Sequence, residues 1–153
     1  MKDRSILCGG LVDLRLGDWR QVLADVTTCD AVCCDPPYSA RTHEGQRHGR
    51  RDTRYTAPGV ALLSSRGIPY AAWGEDDARD FVEHWSPRCG WLAIFTSHDL
   101  APTIQHAAEF DDRCAFAPLA CVQHAMNVRL AGDGPSNWTT WLCVSRPARL
   151  HRW

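Results

Sequence analysis

Residues 31–38 read AVCCDPPY, four small apolar residues followed directly by an acid, two prolines and a tyrosine. A short apolar run that ends this abruptly predicts a buried strand of a parallel sheet. Proline has a fixed φ and no N–H, so the strand cannot continue through Pro36 and Pro37. The stretch therefore predicts an α/β fold in which Asp35 and Tyr38 lie at the carboxyl end of a strand, where open α/β sheets bind ligands.

The segments that follow alternate between helix and strand patterns. Three acids at 75–77 precede apolar residues at helical spacing up to Pro87, which predicts a helix. A buried strand is predicted at 91–95 and a second helix over 100–108. The apolar runs 114–117 and 119–122 on either side of Pro118 predict an edge or bulged strand, and residues 138–144 predict a final strand. This order predicts a sheet of parallel strands that ends in an antiparallel pair, within a single domain spanning residues 1–153.

Composition restricts the class of protein. The chain has 153 residues, 44% of them hydrophobic and 23% charged, with a net charge of −1, which is typical of a globular domain without an overall field for nucleic acid. No uncharged apolar stretch approaches the ~18 residues of a membrane span, and the N-terminus lacks the pattern of a secretory signal. We therefore expect a soluble, cytoplasmic protein that does not bind membranes.

Eight cysteines are present, but none forms a C-x-x-C pair. Free cysteine packs as a small hydrophobic residue, and a reducing compartment disfavours disulfides. No metal site is predicted, although a site that combines Cys33 or Cys34 with His43 or His48 stays open as a weaker alternative.

The near-neutral total charge conceals a basic segment at residues 39–70. This segment carries six arginines against two acids, so its net charge is +4 while the rest of the chain is negative. It has little apolar periodicity and is rich in glycine and proline. Because connections within compact domains are usually much shorter, we predict a long basic loop with a function.

The residues after the predicted strand suit one kind of ligand. The Asp35 carboxylate and the Pro36 carbonyl can present two acceptors in a fixed arrangement, because neither proline has an N–H to occupy them. An exocyclic base amine has two N–H donors that match this pair, and hydrogen bonding through both favours a nitrogen with a usable lone pair. The Tyr38 ring offers a flat face on which a base can stack.

The motif Asp35-Pro36-Pro37-Tyr38 resembles that of the amino-methylating DNA methyltransferases, which transfer a methyl group from S-adenosylmethionine to N6 of adenine or N4 of cytosine. Residues 17–18, the strand at 91–96, the turn at 97–100 and the stretch 132–138 are also similar to bacterial and phage members. The resemblance implies a partial Rossmann-like methyltransferase sheet and a double-stranded DNA partner with a flipped target base. It implies that Asp35, Pro36, Pro37 and Tyr38 are the catalytic residues that bind this base, and the Asp-initiated motif favours adenine.

The basic segment fits the same resemblance. Immediately after a base-binding motif, cationic side chains can bind the phosphates on either side of an extruded nucleotide. The predicted DNA-binding residues are Arg41, His43, Arg47, His48, Arg50, Arg51 and Arg54. Such contacts make affinity fall steeply with salt concentration.

The chain departs from the family at the cofactor loop, a glycine-rich segment of the Phe-x-Gly-x-Gly type. Gly9-Gly10 after an apolar run is a weak match, and Gly132-Asp133-Gly134-Pro135 reads as a turn. One permuted arrangement of the family places the base-binding motif first and the cofactor loop last. The resemblance therefore implies that a second chain or a missing C-terminal half supplies the cofactor loop, and the cofactor-binding residues stay unknown.

Two other functions remain open. The chain can be a non-catalytic DNA-binding remnant or partner subunit, or a methyltransferase that acts on RNA or on a protein amide. Hydrolysis by Ser97-His98-Asp99 is disfavoured, because three consecutive residues at a strand end point in different directions and cannot form a catalytic relay.

Overall fold

The structure is a computed structural model that describes residues 4–42, 71–123 and 138–148. It is a mixed α/β fold whose main sheet contains both parallel and antiparallel strands. The strands of this sheet are β3 (Cys29–Cys34), β4 (Cys89–Thr96), β5 (Arg113–Ala115), β6 (Leu119–Gln123) and β7 (Trp138–Pro147).

The sheet is mixed and agrees only in part with the predicted parallel sheet that ends in an antiparallel pair, because among the described strands only β3 and β4 are parallel. β3 lies parallel to β4, with Cys34 opposite Ile94. β7 follows β4 in the sheet and runs antiparallel to it. On its other side β7 pairs antiparallel with β5 near one end and with β6 near the other. β4 and β7 are therefore interior strands, whereas β3 pairs only with β4 within the described residues.

Two helices bury the apolar stripes that the sequence predicts. They are α2 (Glu75–Trp85) and α3 (Ala101–Phe110). The predicted stripe residues Ala78, Phe81, Val82, Trp85, Leu100, Ile104, Ala107 and Ala108 are all buried. All of these except Leu100 pack with Leu92 and Ile94 of β4 and Cys143 of β7 in one hydrophobic core, so both helices cover the same face of the sheet.

The other face of the sheet is more exposed. Side chains alternate along a strand, and in β4 Leu92 and Ile94 face the helices while Trp91 is 49% exposed. In β3, Val32 and Cys34 are half-buried whereas Ala31 and Cys33 are exposed. The sequence predicts a strand that is buried on both faces, and in this respect the structure differs from the expectation.

The N-terminal part forms a separate β-hairpin that the sequence does not predict. β1 (Arg4–Leu7) pairs antiparallel with β2 (Val12–Arg15). The short helix α1 (Trp19–Val22) follows, and Asp18 is its N-cap, because the Asp18 side chain accepts from the Arg20 N–H at 2.8 Å. Arg15 connects the hairpin to α1, because its guanidinium donates to the Val22 carbonyl at 2.7 Å.

All eight cysteines are free thiols. Among the helices of the described ranges, none combines the length and the apolar character that crossing a bilayer requires.

Candidate functional site

The predicted base-binding motif lies at the carboxyl end of β3. β3 ends at Cys34, and the prolines that follow cannot donate to a neighbouring strand. Since β3 and β4 are parallel, Asp35 and the residues after it lie beside the carboxyl end of β4. Asp35 is exposed, and Pro36, Pro37 and Tyr38 are half-buried. The structure thus brings the four motif residues together at the edge where an open α/β sheet binds ligands.

Tyr38 contacts the motif aspartate directly. The Tyr38 hydroxyl donates to Asp35 Oδ1 at 2.8 Å. This bond to a charged acceptor holds the aromatic ring and the carboxylate as one unit. Together they offer a flat face and an anionic acceptor side by side.

The peptide group that links Tyr38 to Ser39 is held on both sides. Its carbonyl accepts from the Trp73 N–H at 3.1 Å, and its N–H donates to Ser97 Oγ at 3.4 Å. Trp73 forms a parallel β-bridge with Ser39, and its ring lies 5.4 Å from that of Phe81 in α2. The motif is therefore anchored both to the segment before α2 and to the end of β4.

Asp99 lies in the turn between β4 and α3 but is not the N-cap of that helix. The N-cap of α3 is Leu100, and the N–H groups of Leu100 and Ala101 donate to the Ser97 carbonyl. Burial alone raises the pKa of the Asp99 carboxyl, but hydrogen bonding from the hydroxyls of Ser39 and Ser97 outweighs it and holds that pKa below its usual value. Asp99 Oδ1 is buried without a hydrogen-bond partner in the described part of the chain.

The basic segment is described only at its start. Residues 40–42 are helical, and Arg41 is exposed three residues after Tyr38. The other predicted phosphate-binding residues lie outside the described residues; they are His43, Arg47, His48, Arg50, Arg51 and Arg54.

The described residues do not fit S-adenosylmethionine. A nucleotide-binding glycine loop requires a parallel strand before it and a helix N-terminus after it. Gly9 and Gly10, with φ of +65° and +97°, instead form the turn of the β1–β2 hairpin, and nothing lies within 4 Å of a Cβ built on either. Gly132 and Gly134 lie outside the described residues.

Metal ligands are not clustered in the described ranges, where no group of three or more His, Cys, Asp or Glu side chains could hold an ion. In β3, Cys33 is exposed and Cys34 is half-buried, and the histidines of the weaker metal hypothesis, His43 and His48, lie outside these ranges.

Comparisons of the chain with protein-family models, with curated proteins and with solved structures find no match. The interpretation of the site therefore depends on its own geometry.

Sequence reasoning misses three residues that support the motif, namely Ser39, Ser97 and Asp99. Ser39 lies within the predicted basic loop, and Ser97 and Asp99 belong to a turn that carries no helical or strand pattern. One signal could have indicated them: in a parallel pair, the residues just beyond two adjacent carboxyl ends are neighbours in space.

Proposed function

We propose that this chain supplies the base-binding motif of an amino-methylating DNA methyltransferase. The observation that supports the proposal is the placement of Asp35-Pro36-Pro37-Tyr38 at the carboxyl end of β3, with Tyr38 hydrogen-bonded to an exposed Asp35. An accidental Asp-Pro-Pro-Tyr sequence has no reason to coincide with that edge of the sheet.

The chemistry assigned to these residues is recognition of an exocyclic amine. Asp35 accepts one N–H of the amine and the Pro36 carbonyl accepts the other, while the Tyr38 ring stacks on the base. Hydrogen bonds to a carboxylate contribute roughly 1.5–3 kcal/mol, and base stacking on an aromatic ring contributes about 1–3 kcal/mol. In this arrangement Asp35, Pro36 and Tyr38 touch the base, so we assign them as catalytic residues. Pro36 and Pro37 also fix the backbone between Asp35 and Tyr38.

The proposal places the methyl donor on a second polypeptide segment, because the described residues do not fit S-adenosylmethionine. β3 supports this placement, since within the described residues it pairs only with β4 and carries the motif at its end. A strand added beside β3 would put the ligands of both segments at the same carboxyl edge of one sheet. Double-stranded DNA with a flipped target base is the proposed partner, and the exposed Arg41 is the described candidate for a phosphate contact.

Recognition of the amine can be measured without the cofactor. The experiment titrates the chain with two fluorescein-labelled duplexes, one with a single unpaired adenine and the other with unpaired purine 2′-deoxyriboside, which lacks only the amino group. The wild-type chain should prefer adenine, and Asp35→Ala should reduce this preference by about tenfold or more, as expected for loss of a charged hydrogen bond.

Asp30→Ala is the matched control. Like Asp35, Asp30 is an exposed aspartate, and it lies within β3, five residues before Asp35. Its preference for adenine should equal that of the wild type. An Asp35→Ala variant that keeps the full preference would contradict the proposed role of the motif.

Methyl transfer gives the second test. In the complete enzyme, Asp35→Ala should abolish methylation and leave the circular dichroism spectrum unchanged, as expected for an exposed side chain. Retention of most of the activity would refute the assignment. Nucleoside mass spectrometry after incubation with duplex DNA or RNA identifies the substrate and distinguishes N6-methyladenine from N4-methylcytosine.

Because the described residues do not fit S-adenosylmethionine, a second function is also favoured, that of a DNA-binding partner subunit without a cofactor site of its own. Titration of the isolated chain with labelled S-adenosylmethionine tests where the methyl donor binds, since binding by this chain alone would contradict a donor site on a second segment. Methylation by the assembled enzyme separates the two functions: loss of activity in Asp35→Ala supports the catalytic motif, whereas retained activity supports a DNA-binding partner subunit.

A further inference from the structure

Three polar side chains lie where β3 and β4 end, the buried Ser39 and Ser97 and the half-buried Asp99. We call them the strand-end cluster. Ser39 is 6% exposed and Ser97 is 5% exposed, so both hydroxyls are inside the protein. Buried polar groups are costly unless they are hydrogen-bonded, and the bonds of this group indicate its role.

The serine hydroxyls of the cluster accept hydrogen bonds from backbone N–H groups. Ser97 Oγ accepts from the Ser39 N–H at 3.4 Å, and Ser39 Oγ accepts from the Thr42 N–H at 3.4 Å and lies 3.3 Å from Thr42 Oγ1. Burial raises the pKa of the Asp99 carboxyl, but hydrogen bonding from Ser39 and Ser97 contributes to a net lowering, which agrees with a position of Asp99 beside the two serines.

The cluster acts on the residue that follows the motif. The Ser39 N–H and the Tyr38 carbonyl belong to one peptide group, which Ser97 holds from one side and Trp73 from the other. Two hydrogen bonds on opposite atoms of a planar group fix the orientation of that plane. The direction of the Tyr38 side chain from its backbone, and hence its contact with Asp35, follows from this orientation.

We propose that Ser97 is a positioning residue that sets the selectivity of the site for a base with an exocyclic amine. Ser97 does not touch the base; it orients the Tyr38–Ser39 peptide so that the ring and the Asp35 carboxylate meet the base together. The inference rests on the proposed function, because it assigns a support to the same site. If the Tyr38 ring is misplaced relative to the Asp35 carboxylate, recognition of the amine weakens more than binding of the DNA backbone does.

The first measurement tests the contact without any ligand. Amide hydrogen exchange, followed by NMR, is compared in the wild type, Ser97→Ala, Ser97→Thr and Ser86→Ala. The Ser39 amide should exchange about tenfold faster in Ser97→Ala, because it loses its acceptor, and should recover in Ser97→Thr, which restores a hydroxyl. Ser86 is a matched control, since it is also a buried serine but its hydroxyl has no partner in the described residues.

The second measurement tests the positioning role. The ratio of the affinities for the unpaired-adenine and unpaired-purine duplexes should fall about tenfold in Ser97→Ala, return in Ser97→Thr and stay at the wild-type value in Ser86→Ala. A merely structural role would lower both affinities equally and leave this ratio unchanged. Ser97→Cys, which keeps the size of the side chain and replaces the hydroxyl with a weaker acceptor, serves if Ser97→Ala does not fold, and it should lower the ratio to an intermediate value.

The outcomes test the Ser97–Ser39 contact, the positioning role of Ser97 and the proposed function separately. If the Ser39 amide exchanges at the same rate in Ser97→Ala and the wild type, Ser97 does not accept from this amide and the inference fails. If exchange rises and the affinity ratio does not change, although Asp35→Ala lowers it, the positioning role is wrong and the proposed function stands. If Asp35→Ala leaves the ratio unchanged, the proposed function fails, and the inference fails with it.

Discussion

Under the proposed function, the Tyr38 hydroxyl and an incoming base amine share one acceptor group, the Asp35 carboxylate. One oxygen of this carboxylate already accepts from the Tyr38 hydroxyl at 2.8 Å. A carboxylate that already accepts one hydrogen bond gains less from a further donor, so we expect the hydroxyl to reduce the net gain from recognition of the amine. The proposal therefore gives the tyrosine two opposing effects: its ring stacks on the base, and its hydroxyl occupies part of the acceptor.

Replacement of the hydroxyl separates these effects. Tyr38→Phe keeps the ring and removes the competing donor, so binding of the unpaired-adenine duplex should tighten roughly fivefold, the equivalent of about 1 kcal/mol. Tyr38→Ala removes the ring as well and should weaken binding, by about 1–3 kcal/mol. Fluorescence anisotropy with the two labelled duplexes checks both changes. Weaker binding in Tyr38→Phe would show that the hydroxyl orients Asp35 rather than competing for it.

Arg113 shows how one residue can fix several elements. It is the first residue of β5, it is buried, and its guanidinium donates to the carbonyls of Ser86, Cys89, Gly90 and Ser145 and to Ser145 Oγ. These acceptors lie after α2, at the start of β4 and in β7. Burial lowers the pKa of this guanidinium, yet the planar fork keeps a hydrogen bond on each nitrogen.

Loss of Arg113 should therefore destabilise the whole sheet. Arg113→Met keeps much of the length but leaves buried carbonyls without donors, which should lower the free energy of unfolding by roughly 3–5 kcal/mol. Urea unfolding followed by circular dichroism measures the change. Arg79→Met is the control: Arg79 is exposed and pairs with Asp76 within α2, so the expected loss is below about 0.5 kcal/mol. If Arg113→Met lowered the free energy of unfolding as little as Arg79→Met does, packing alone would connect these elements.

The elements differ in how far the sequence determines them. The stripe in α2 and its stop at Trp85 before Pro87 follow from local rules, because periodicity and proline act within one helix. The role of Arg113 does not, since its acceptors come from three separate segments. The β1–β2 hairpin was missed because each strand has only four residues and β1, with Ile6 next to Leu7, lacks the alternation of a half-buried strand, although Val12–Arg15 of β2 does alternate. At the site, the motif could be predicted, whereas its support by Ser97 depends on the pairing of β3 with β4.

At the scale of the molecule, the helices cover one face of the sheet and the opposite face is more exposed. β3 shows this difference in two adjacent cysteines. Cys33 is exposed, whereas burial raises the pKa of the Cys34 thiol to about 12. Because thiolates rather than thiols react with alkylating reagents, the two residues should differ in reactivity.

Alkylation maps this asymmetry. With iodoacetamide at pH 8, Cys33 should be modified within minutes, while Cys34 should react at least tenfold more slowly until the protein unfolds, because its thiolate is rare at this pH. Fragmentation of the labelled peptide by mass spectrometry assigns the modified residue, and exposed Cys8 is an internal reference. Protection of Cys33 in the folded chain would show that something covers the second face of β3.

The position of β7 in the sheet also affects how the protein folds. β7 pairs with β4, β5 and β6, yet β4 ends at Thr96 and β7 begins at Trp138. The sheet therefore cannot close until a long stretch of chain has been synthesised, and during translation β4 is left with an unpaired edge. Contacts so far apart in sequence slow folding and prolong the time in which this edge is exposed to aggregation. Because β7 comes last in the chain and lies between β4 and the pair β5 and β6, we expect the growing polypeptide to require chaperones during synthesis.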